Sequence, residues 1–225
     1  MCRLTALAFV IACQLAPQAS ADVLFSSGPY NGTVDGWDIS GASAPVADNF
    51  VLSGAATVNG ASFVTWANPG DVMTTVDWSI LSSPVAGTTY ASGTASVSQT
   101  LIITPSIFGY DIDNESFSFP DLALSPGTYW LELQNADATT ACDPVTTLGC
   151  FFWDENDNPN NIPGLQAWDG GIGYLNNTND PTDCGVGQSC TETFTISGTP
   201  EPGSFVLLGS VLLWMAAFIR RRVVR

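Results

Sequence analysis

The sequence predicts an all-β protein, an antiparallel β-sandwich or jelly roll, flanked by an N-terminal signal peptide and one C-terminal transmembrane helix. Three observations predict it. Between positions 22 and 199 the apolar residues alternate with polar ones at a period of two, with no 3.6-residue stripe. Turn phrases separate the alternating runs: Asn68-Pro69-Gly70-Asp71, Ser125-Pro126-Gly127-Thr128 and the stretch from Asn156 to Asn161. Both chain ends are apolar without alternation, the mark of a lipid environment rather than of a sheet.

At the start, Arg3 provides a short positive region and Leu4 to Ala16 an apolar run. Ala19 and Ala21 then supply the small residues of a cleavage site, so the signal peptide spans 1–21 and Asp22 opens the mature chain. Val10 to Cys13 also reads as a lipobox, in which Cys13 would be lipidated; the small-residue site downstream favours cleavage after Ala21.

The domain at 22–199 is long enough for one sizeable core. In "NGASFVTW", Phe63 falls on one side and Val64 and Trp66 on the other. In "TTVDWSIL", Val76, Trp78 and Ile80 face inward while Asp77 and Ser79 face water. "GTYWLELQN" sets Tyr129, Leu131 and Leu133 against Trp130 and Glu132, and "TETFTISG" buries Phe194 and Ile196.

Charge narrows the function. The chain has 21 acidic residues, five arginines, no lysine and no histidine. Every acidic residue except Glu201 lies between Asp22 and Thr199, where there is no cation at all. Such a field repels phosphate backbones, so nucleic acid is not an expected partner. Serine–histidine, cysteine–histidine and lysine-based catalysis lack their residues. A two-carboxylate glycosidase is the one mechanism the composition leaves, with Asp111 and Asp113 as the pair to consider.

Carboxylates without cations point to metal ions. Asp111, Asp113, Asn114 and Glu115 present oxygen ligands at alternate positions, and Asp154, Glu155, Asn156, Asp157 and Asn158 form a second cluster. Calcium in a structural role is the cofactor to expect there, on Asp111, Asp113, Glu115, Asp154 and Asp157, although neither cluster has EF-hand spacing. Six tryptophans lie in the domain. Trp153 and Trp168 sit in Gly/Asn/Asp-rich stretches and are the candidate sugar platforms.

Four cysteines remain after the signal: Cys142, Cys150, Cys184 and Cys190. An even number in an exported domain implies disulfides, with three possible connectivities. Pairing Cys142 with Cys150 and Cys184 with Cys190 closes short loops, each worth about 2–3 kcal/mol on the chain-entropy account. A zinc site is the poorer reading, since histidine is absent and the spacings are wide.

The tail has three parts. Pro200, Glu201, Pro202 and Gly203 hold the backbone extended. Ser204 to Ile219 is free of charge and spans about 24 Å as a helix, enough to cross when its flanks join it. Arg220, Arg221 and Arg222 follow and stay cytoplasmic under the positive-inside rule, which puts the acidic domain outside. This order, over residues 200–225, closely resembles the PEP-CTERM sorting signal of Gram-negative bacteria. The resemblance implies export through the Sec translocon and a precursor held transiently in the inner membrane with its domain in the periplasm. It further implies cutting near the Pro-Glu-Pro motif by a membrane-embedded exosortase, then a place at the cell surface or outside it. Such proteins typically belong to bacteria that make exopolysaccharide and biofilm. The phrases "VADNFVLSGAATVNGASFVTW" and "LSPGTYWLELQN" also resemble exported bacterial β-sandwich domains found ahead of this signal. A non-catalytic surface or matrix protein associated with exopolysaccharide is therefore the leading expectation. A carbohydrate-binding module and a secreted glycosidase are the alternatives.

Overall fold

The computed structural model describes residues 22–32, 36–41, 43–104, 109–139, 150–156, 165–171, 173–174 and 191–201. Outside them lie Ala19, Ala21, Pro202, Gly203, the 204–219 segment, Arg220 to Arg222, Cys142, Cys184, Cys190 and Asp157. The described chain is all strand and loop, with no helix. In order the strands are β1 (Asp22–Ser26), β2 (Gly36–Asp38), β3 (Val46–Leu52), β4 (Ala56–Ala67), β5 (Met73–Leu81), β6 (Thr89–Ser96) and β7 (Ser98–Ile103). They continue with β8 (Asp111–Leu124), β9 (Gly127–Ala138), β10 (Phe151–Asp154), β11 (Ala167–Asp169), β12 (Gly173–Tyr174) and β13 (Phe194–Pro200).

They form two antiparallel sheets. In the first, the long β4 pairs with β8 along one edge, and β8 with β7. The other edge of β4 is shared: β13 covers Ala56 to Phe63 and β10 covers Thr65 to Ala67, with β1 beyond β13 and β2 beyond β10. The second sheet runs β12-β11-β3-β9-β5-β6. The two phrases "VADNFVL" and "GTYWLEL" are direct neighbours in it, with Phe50 opposite Tyr129.

Alternation decides which side chains fill the space between the sheets. Phe63, Phe117, Phe119, Trp153, Phe194 and Ile196 come from the first sheet, Phe50, Val76, Trp78, Ile80, Leu131 and Leu133 from the second. Trp78 stacks on Phe119 at 4.4 Å between ring centroids. Each such side chain contributes about 1.5–3 kcal/mol on burial. The turn Asn68–Asp71 shows how the sequence ends β4. Asp71 N donates to Asn68 O at 3.0 Å, Pro69 fixes the first central residue, and Gly70 takes the positive φ of 88° that a type II turn demands.

Candidate binding face on the first sheet

Of the expected sugar platforms and metal ligands, Trp153, Asp113, Glu115 and Asp154 are buried, Trp168 is half-buried, and Asp157 lies outside the described residues. Phe151–Asp154 is not an exposed loop but strand β10, inserted beside β4, and Trp153 is a core residue with 0% exposure. Its indole nitrogen donates to Thr193 O at 3.1 Å, so the ring offers no surface to a sugar. Trp168, on β11, is half-buried on the outer face of the second sheet against Ala47, Leu81 and Trp130, with Tyr174 as its cross-strand neighbour.

Asp154 is likewise enclosed. Its Oδ1 accepts from Trp66 Nε1 at 2.7 Å and its Oδ2 from Thr193 Oγ1 at 2.5 Å, so its carboxylate serves the fold rather than a solvent-facing ligand set. Asp111, Asp113 and Glu115 do share one face of β8, as alternation requires, but for Asp113 and Glu115 it is the buried face. Alternate residues on a strand are about 7 Å apart, too far for three carboxyls to close round one ion. Among the described residues, no three acidic or thiol groups converge as a metal site.

The buried acids are kept neutral or capped instead. Burial, then the neighbouring Asp113, pushes the Glu115 carboxyl up to about 8, against the Thr65 hydroxyl at 3.3 Å. Burial also raises Asp113; the Gln99 amide opposes this and the neighbouring Asp111 carboxylate adds to it. Asp48, which the sequence placed mid-strand in "VADNF", is fully buried and raised well above the carboxylate range by desolvation. Backbone N–H groups of Glu192 and Asn49, each 2.6 Å from its carboxylate, pull the other way.

The outer face of the first sheet is covered in part by side chains from other segments. Val64, Trp66 and Ile112 form an apolar patch there, and Tyr30, Tyr110 and Phe152 pack over it. Tyr30 meets Trp66 edge-on at 5.6 Å, and Tyr110 does so at 6.2 Å. Tyr30 is brought over the sheet by the segment after β1, which Ser27 clamps to β13: Ser27 Oγ donates to Phe194 O and accepts from Phe194 N at 2.8 Å. Burial, with Asp154 nearby, holds the Tyr30 phenol above its ordinary range, so at neutral pH it remains an O–H donor.

Beside Tyr30 a groove of about 540 Å³ opens, walled by Pro29, Tyr30, Val64 and the exposed Ile102, with Asn114 and Thr195 on its floor. A second hollow of about 440 Å³ adjoins it through Ser62 and Thr195, which line both. Alternation could have pointed to this face, because Ser62, Ser116, Ser118, Thr195 and Ser197 are the small polar residues opposite buried neighbours. Tyr30 could not be found that way, since it comes from a loop. No model of a known protein family matches this sequence, and no curated protein is similar to it.

Proposed function

We propose that this chain is an exported surface or extracellular-matrix protein, processed by an exosortase, whose β-sandwich works by binding and associates with exopolysaccharide. One observation carries the reading: the folded body fits between the two expected processing points. β1 begins at Asp22, the first residue after the expected signal cleavage, and β13 ends at Pro200, the first residue of the Pro-Glu-Pro motif. Glu201 N still donates to Ala55 O at 3.0 Å, so the sorting motif leaves directly from the sandwich. Both proteases would then cut at the border of the fold without opening it.

The burial of Asp113 (1% exposed) supports a non-catalytic role, because a glycosidase acid must meet its substrate and this one faces the core. Intact mass of the product from the envelope and medium of the host, with and without its exosortase, tests the proposal. The expected product starts at Asp22 and ends within or just after Pro200–Pro202, and exosortase loss leaves the tail in place. Recovery of intact Met1–Arg225 from the cytosol in both strains would refute it.

A further inference from the structure

We infer that the outer face of the first sheet is a binding site for an uncharged polysaccharide segment, laid along the Tyr30 groove and across the hydroxyl-lined hollow beside it. The ligand class rests on the reading of the chain as exopolysaccharide-associated; the site rests on the geometry that follows.

The two hollows are continuous and chemically different. The groove has an apolar wall of Tyr30, Val64 and Ile102, with the Asn114 amide, the Tyr30 phenol and the hydroxyls of Ser62 and Thr195 among its polar groups. The adjoining hollow is lined by seven hydroxyl side chains from five strands: Ser62, Ser96, Ser98, Ser116, Ser118, Thr195 and Ser197. Ser62 and Thr195 share one bond of 2.6 Å, and Ser116 Oγ donates to Ser98 O at 3.2 Å. Each hydroxyl has one donor and two acceptor sites, so capacity remains on all of these. A pyranose has the same two-sided character, with C–H groups on its faces and hydroxyls at its rim. Apolar walls with a few placed polar groups are how proteins hold such molecules. An apolar peptide or acyl chain in the groove would strip water from the Asn114 amide and from the Ser62 and Thr195 hydroxyls without replacing it, at a cost of about 1–3 kcal/mol for each group left unpaired.

Charge selects among polysaccharides. Apart from the Tyr30 phenol, no ionisable side chain among the described residues lines either hollow. Among the described residues there is no Lys, Arg or His, and the chain carries a net charge of −16. A polyuronate or sulfated glycan would meet a repelling field and no cation. A polyamine glycan would be drawn to the carboxylates elsewhere and find none in the site. The uncharged polymer is the one that suits both halves.

The full chain in mild detergent can be run through native gels containing dextran, a galactomannan or a soluble β-glucan, with alginate and chitosan gels for comparison. Retardation by at least one uncharged polymer is expected. Tyr30→Ala, which removes the wall, and Asn114→Trp, which fills the groove from β8, should each weaken it about tenfold or more while the protein still melts cooperatively. The two variants act independently, so loss of folding in one leaves the other as the test. Retardation by alginate or chitosan alone, by none of the polymers, or to the parent's degree in both variants overturns the inference. A failed export reading shows separately, as intact chain in the cytosol, and leaves this retardation unchanged.

Discussion

Trp66 and Asp154 are joined across 2.7 Å, indole N–H to carboxylate, on the outer side of the first sheet. The carboxylate has no exposure and no side-chain cation within the described residues, so neutral donors must hold it. Trp66→Phe keeps most of the ring packing under Tyr30 and Tyr110 but removes one donor. Urea denaturation should show a loss of about 1–3 kcal/mol, the cost of a buried acceptor left short. An unchanged midpoint would mean that water takes the place of the indole.

Glu115 makes stability depend on pH in an unusual direction. Its carboxyl titrates near 4.5 when unfolded and near 8 in the fold, because burial disfavours the charge. Between those values the folded state holds a proton that the unfolded state has lost, so stability falls as pH rises. The contribution is fully present below about pH 4.5 and gone above about pH 8, a change of a few kcal/mol at roughly 1.4 per pH unit. Thermal melts should give a higher Tm at pH 5 than at pH 8, and Glu115→Gln should reduce the difference, leaving the share of the other carboxyls raised by burial, Asp48, Asp113 and Glu132. A profile that rises toward pH 8 would contradict the burial argument.

Much of the sandwich is legible in the sequence, because a strand's period of two reports which residues share a face. Val76, Trp78 and Ile80 on β5, and Tyr129, Leu131 and Leu133 on β9, face the core as their alternation requires. What alternation leaves open is whether the opposite face is covered. Trp66 lies opposite Phe63 and still has only 2% exposure, because Tyr30, Tyr110 and Phe152 arrive from elsewhere in the chain. Composition misled at Trp153 and Asp154 for a related reason. The acidic, amide-rich neighbours of Trp153 suggested an exposed ring, but Phe151–Asp154 is a strand with partners on both sides, Trp153 lying between Thr65 and Trp37. The candidate site was hidden because Ser and Thr on a strand look the same whether they face bulk water or a hollow.

The two tryptophans singled out from sequence should therefore behave differently. Trp153→Ala opens the core next to Phe63 and Phe194, whose rings lie 6.0 and 5.7 Å from the indole, and should cost about 3–5 kcal/mol. Trp168→Ala removes a half-buried ring from the edge of the second sheet and should cost clearly less. Parallel denaturant titrations decide it; equal losses would mean that Trp168 is as enclosed as Trp153.

Gly198 gives the sharpest local test. β13 shifts register against β4 between Ser197 and Gly198, and this bulge brings the glycine hard against its neighbour. A Cβ there would lie 2.1 Å from Thr57 O and 2.8 Å from Val58 Cα, both backbone atoms in the middle of the sheet that cannot turn aside. Gly198→Ala must therefore push β13 off β4 at the point where the body hands over to the sorting motif. A loss of more than about 3 kcal/mol is expected, large enough to mark a specific clash. Gly54 is the control: a Cβ there meets nothing within 4 Å, and Gly54→Ala should be neutral or stabilising by up to about 1 kcal/mol. If Gly198→Ala melts with the parent while Gly54→Ala does not, the bulge is placed elsewhere and the close pairing of Gly198 with Val58 is wrong.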